Sequence, residues 1–187
     1  FDPEKITRAR FIAISVPMHT ALRLGVIASR RIRTLNPAAH ICFYGLYAAL
    51  NADELFGNAW TDSVLAGELE DQLVELVRRV EAGEPIDTRR AELAKLSFPV
   101  PARAALPAIK KYAHVERGGR LELAAYVEAS RGCKHHCRHC PIPAVYGGRP
   151  FVIPVETLLA DARQQIAARA RPATFGASAF LNGPHHH

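Results

Sequence analysis

The sequence predicts an α/β protein in which parallel strands are covered by helices, built in two successive parts. Three observations predict it. Compact runs rich in β-branched and aromatic residues alternate with stretches of helical apolar periodicity. One long helical stretch carries its acids in the first turn and its arginines in the last, as the helix macrodipole favours. A poorly periodic, proline-punctuated segment then separates this first group of elements from a second that repeats the order strand, loop, helix, strand.

Taken in order, residues 9–17 (ARFIAISVP) form the compact apolar run expected of a buried strand. HTALRLGVIASRRIRTLNP follows, placing Ala21, Leu24, Ala28, Ile32 and Leu35 on one helical face until Asn36-Pro37 stops it. AHICFYGLYA is a second buried strand, and residues 51–59 read as a loop with a short helix. TDSVLAGELEDQLVELVRRVEAG begins as a short strand and turns helical at Gly67. Glu68, Glu70 and Asp71 occupy the first turn of that helix and Arg78 and Arg79 the last; Leu69, Leu73, Leu76, Val77 and Val80 form its apolar stripe, and Gly83 supplies the C-cap.

Pro85, Pro99, Pro101 and Pro107 then mark a linker draped over the surface. Gly118-Gly119 makes a turn, and RLELAAYVEAS is a strand. Pro154 opens a helix running to about Ala170, and ATFGASAFLNGP is a short strand ending in a glycine-containing loop. The expected organisation is therefore a first domain over 1–84, a linker over 85–120 and a second domain over 121–187.

Composition narrows the function classes. The 187 residues are 49% apolar and 22% charged, ordinary for a globular chain. No apolar run approaches the roughly 20 residues needed to cross a bilayer, so no membrane partner is expected. The net charge of +6 and pI near 9.4 are a mild basic excess. Arg23, Arg30, Arg31 and Arg33 read as the solvated side of a helix, not as a face of basic residues interleaved with aromatics, so nucleic acid is not an expected partner. The chain opens at Phe1 without a secretory signal and reads as a piece of a longer protein.

Three of the four cysteines lie in one short stretch, SRGCKHHCRHCP, at residues 130–141. Cys133, Cys137 and Cys140 are spaced C-x3-C-x2-C, with His135, His136 and His139 among them. Such spacing indicates metal binding or catalysis in a reducing compartment, and a cytoplasmic location is expected. Apart from incidental thiols, two metal readings are open. A tetrahedral zinc site needs four ligands, and a histidine could complete three thiolates. An iron–sulfur cubane takes one thiolate per iron, so three cysteines leave one iron open to a substrate or cofactor. Gly132 permits tight backbone approach, and Pro141 and Pro143 stiffen the exit. Cys42 is read as a core thiol, and His40 and His114 as a strand-entry and a linker residue.

YVEASRGCKHHCRHCPIPAVYGG closely resembles the signature region of the radical S-adenosylmethionine enzymes. The resemblance implies that Cys133, Cys137 and Cys140 bind a 4Fe-4S cluster. The open iron would chelate S-adenosylmethionine, whose reductive cleavage yields a 5′-deoxyadenosyl radical. It places His139 near the adenine and Gly176 in the loop beside the cofactor's amino group. Relatives carry acids at the positions of Ala177 and Ala179 in that loop. AISVPMHTALRLG, HICFYGLYA and VLAGELEDQLVELV resemble the cobalamin-binding domain that precedes the barrel in one subgroup, Gly67 and Glu68 matching its "GE" turn.

Ser15, Thr20, Gly45 and Gly67 are accordingly candidate cobalamin contacts, although no D-x-H-x-x-G stretch supplies a histidine for cobalt. The implied fold is a partial Rossmann-like cobalamin-binding domain followed by the first strand–helix units of a partial TIM-like barrel. The implied partners are a small-molecule or peptide substrate and an electron donor such as flavodoxin or ferredoxin; methyl transfer through cobalamin is one implied outcome.

Overall fold

A computed structural model describes residues 2–86, 89–92, 97–108, 111, 114–168, 170 and 173–176, with 89–92 and 173–176 described through their backbone. The chain divides into two compact units. One comprises Phe1–Leu96 with Arg138–Gly147, the other Ser97–Cys137 with Gly148–His187.

The first unit is built on a parallel sheet whose strands lie in chain order: β1 (Phe11–Ser15), β2 (His40–Tyr44), β3 (Ser63–Gly67) and β4 (Arg89–Glu92). Period-two alternation divides its side chains between two cores. Ile12, Ile14, Val16, Ile41, Phe43 and Val64 pack with Leu22, Val26 and Ile32 of α2 (His19–Leu35). Cys42, Tyr44 and Leu65 pack instead with Leu69 and with Leu73, Leu76 and Val80 of α5 (Glu70–Ala82). Parallel strands buried on both sides read as near-continuous apolar runs, which is why HICFY and SVLAG carry little polar residue.

A short helix the sequence reading did not foresee, α1 (Pro3–Arg8), opens the chain. The Asp2 carboxylate accepts the backbone N–H of Glu4 and of Lys5, and Pro3 takes the first helical position. Asn36 ends α2 and ties it back, its side-chain amide donating to the carbonyls of Ile6 and Ala9, each at 2.8 Å.

Several expectations are corrected. The buried face of α2 is Gly25, Ser29 and Ile32, whereas Leu24 and Leu35 are exposed. A Cβ on Gly25 would stand 3.0 Å from Ile14 Cγ2 and Phe43 Cε1, so the helix lies close on the sheet along its small residues. The strand expected to include residues 45–48 stops at Tyr44, since Gly45 turns the chain into α3 (Leu46–Leu50), with α4 (Ala52–Gly57) next. The helix expected from Gly67 starts at Glu70, because Gly67 has φ +76, outside helical space, and closes β3. Within the stretch expected as linker, Arg89–Glu92 adds the fourth strand.

In the second unit, β5 (His114–Arg117) and β6 (Arg120–Leu123) form a hairpin across Gly118-Gly119, both at positive φ as a two-residue turn requires. His114, expected in a linker, is an exposed strand residue. The long strand expected after it is divided into β6, β7 (Ala125–Glu128) and β8 (Ser130–Arg131). After α6 (Ile142–Tyr146), β9 (Phe151–Val152) pairs antiparallel with β8. Helix α7 (Val155–Ala167) packs on β7 and returns the chain to β10 (Ala173–Gly176), parallel to β7. That strand–loop–helix–strand order is the one the sequence predicts. Arg103 fastens the segment preceding β5 to this unit, pairing with both Asp161 oxygens at 2.7 Å and donating to the Tyr126 carbonyl.

Candidate functional site

Three of the candidate residues lie along the carboxyl edge of the four-stranded sheet. Ser15 ends β1 opposite Tyr44, which pairs on its other side with Leu65. Gly45 follows β2 with φ +104, a conformation suited to glycine, and a Cβ there would meet the Val16 carbonyl oxygen at 3.3 Å. Its N–H donates to the Leu65 carbonyl at 3.1 Å, so the edge is stitched past the last strand residues. Gly67 closes β3 and is buried. Thr20 lies in the first turn of α2 and, like Ser15, is exposed. Helix α6 packs against α3 and β3, which brings the residues just after Cys140 to the side of the unit where this edge lies.

The cysteine loop occupies residues 132–141 between β8 and α6. It starts at Gly132, buried with φ +69. The His135 backbone N–H donates to Cys133 Sγ at 3.5 Å. Cys133 and Cys140 are half-buried, while Cys137 and the intervening Lys134, His135, His136, Arg138 and His139 are exposed. Arg131, just before the loop, is fixed by Glu128 at 2.9 Å and lies 5.3 Å from the Phe98 ring centroid. Sequence reasoning did not foresee the seat of His136. Its ring lies against Gly148, where an added Cβ would run into Nε2, and the signal for it is the paired glycine of Y-G-G.

Among the described residues, no three His, Cys, Asp or Glu side chains converge as a metal-holding group. Cys133 and Cys137 belong to the second unit and Cys140 to the first. As a donor set, three thiols suit a soft metal centre, an iron–sulfur cluster or zinc. His139 is exposed next to Cys140. Gly176 ends β10 opposite Glu128, whereas Ala177 and Ala179 lie outside the described residues. Cys42 is fully buried, as its apolar surroundings in the sequence suggest. Burial pushes its thiol up to about 11, a hydrogen bond with Ser63 partly opposing this.

A sheet with strands in parallel chain order, followed by a strand–loop–helix–strand unit carrying cysteines, defines an α/β protein. No protein-family model matches the sequence, and no curated protein matches it. The fold does have solved counterparts. The radical S-adenosylmethionine methyltransferase TsrM from Kitasatospora setae, in a structure with tryptophan substrate and the analogue aza-SAM bound, superposes with a TM-score of 0.68 at 15% identity. A second TsrM structure, with cobalamin and a 4Fe-4S cluster bound, gives 0.70 at 14% identity. Each likeness covers 98% of this chain and 40% of that one, so the chain spans well under half the length of TsrM. At these identities the likeness is one of fold.

Proposed function

We propose that this chain is the cobalamin-domain and early-barrel part of a radical S-adenosylmethionine enzyme, with Cys133, Cys137 and Cys140 holding a 4Fe-4S cluster. One observation carries the reading: the C-x3-C-x2-C loop, legible without any structure, lies in a chain whose fold parallels TsrM over nearly its whole length.

The cluster, when bound, supplies the electron that cleaves S-adenosylmethionine at its open iron. The chain's own residues prepare for it. Gly132 turns the backbone into the loop, Cys133, Cys137 and Cys140 would hold the cluster through their thiolates, and the His135 N–H that donates to Cys133 Sγ would help to stabilise charge on that sulfur. His139 and Gly176 are the residues proposed to face S-adenosylmethionine. Ser15, Thr20, Gly45 and Gly67 would receive cobalamin, since open parallel sheets bind ligands outside their carboxyl ends. The Rossmann-like and partial TIM-like assignments of the two parts belong to this proposal, as do cytoplasmic location, a small-molecule or peptide substrate, and a flavodoxin- or ferredoxin-type electron donor.

Anaerobic reconstitution with iron and sulfide tests it. The protein should turn brown, carry about four irons per chain and absorb broadly near ~400 nm. Electron paramagnetic resonance of the reduced protein should change when S-adenosylmethionine is added. A colourless protein holding one zinc would favour a metal-stabilised binding module instead, and a spectrum indifferent to S-adenosylmethionine would remove the catalytic reading.

A further inference from the structure

At the amino end of the same sheet, away from the candidate residues above, an open cavity of about 550 Å³ is lined by Arg30, Arg33, Asn58, Ala59, Trp60 and Asp62, with Pro37 and Thr61. Its volume lies in the range of small-ligand sites. We propose that it binds an aromatic ring carrying one carboxylate.

The charge of the lining sets the charge of the ligand. Arg33 is neutralised by Asp62 at 2.6 Å and also donates to the Ala39 carbonyl. Among the described residues no carboxylate pairs with Arg30, so the cavity retains one positive charge. A guanidinium offers two parallel N–H groups to a carboxylate. The ring preference comes from Trp60, which packs on the core and also borders the cavity, with Pro37 and Ala59 as further apolar surface.

The lining is also pre-organised, which lowers the ordering cost of binding. Ser29 Oγ donates to the Trp60 carbonyl, and the Trp60 N–H donates to the Leu55 carbonyl at 3.0 Å. The Thr61 hydroxyl lies within hydrogen-bond reach of both the Ile41 and the Ser63 carbonyl, which share its one proton, and it accepts from the Phe43 N–H. The Asp62 carboxylate accepts the Ile41 N–H at 2.7 Å. In the middle of this clamp Ala59 holds φ +55, one of two described non-glycine residues at positive φ. Strain of this kind gathers where a binding surface fixes the backbone.

Trp60 is the chain's single tryptophan, so its emission reports on this cavity. Benzoate, benzyl alcohol and acetate are titrated into the full chain, with calorimetry alongside fluorescence. Benzoate should shift the emission saturably, benzyl alcohol and acetate should bind more weakly, and Arg30→Gln should weaken benzoate about tenfold. Arg30 is exposed, so that variant folds as the parent does. Absence of saturable binding by both methods, equal affinity for Arg30→Gln, or acetate binding as well as benzoate would each overturn the proposal.

Discussion

His40 occupies the second strand with one ring nitrogen 2.9 Å from Ser63 Oγ and its face stacked on Phe11. Burial lowers its pKa below 6.5; the nearby Asp62 carboxylate opposes that shift and Arg33 adds to it. The unfolded chain therefore takes up the proton first as pH falls. Stability held above pH 6.5 is lost as the pH drops through the folded-state value. Urea unfolding between about pH 7.5 and about pH 5 should show this loss, and His40→Asn should flatten the slope. An unchanged slope in that variant would mean that other groups carry the pH dependence. The sequence showed His40 entering a strand, but its partners come from β1 and β3, and no local pattern encodes which strand lies beside which.

Among the elements, α2 shows how close packing decides the worth of a glycine. Replacing Gly25 by alanine gains about 1 kcal/mol of helix propensity. It also pushes a methyl into Ile14, Phe43 and Val16 at 3.0–3.1 Å, an overpacking that costs about 1–3 kcal/mol. Chemical denaturation should find Gly25→Ala destabilised by about 1 kcal/mol. Gly57→Ala, with nothing within 4 Å of the new Cβ, should be neutral or gain about 0.5 kcal/mol. The same helix marks a limit of sequence reading. Periodicity found a helix but chose a face through Leu24 and Leu35, because scoring by hydrophobicity gives no weight to a glycine and a serine that let two backbones approach. Caps were more legible: Gly83 ends α5 at φ +69 as its position after Arg78 and Arg79 foretold. Arg89–Glu92 escaped notice for the opposite reason, since R-R-A-E has no strand pattern and owes its conformation to β3 beside it.

For the molecule as a whole, the sequence disclosed the alternation of strand and helix and the cysteine spacing, both of which are local signals. It could not disclose that α6 lies against α3, a contact between residues roughly a hundred positions apart. Thiol reactivity offers a check across the entire chain. Without metal, iodoacetamide should modify three cysteines in the native protein, Cys137 fastest, and the fourth only in urea, because Cys42 has no exposed surface and a thiol held at about 11. Four native modifications would mean that the sheet opens on the labelling timescale. The order β1-β2-β3-β4 carries one more consequence. Each newly synthesised strand finds its neighbour already made, so the scaffold can be completed as it leaves the ribosome, before the sulfur-bearing turn has been translated.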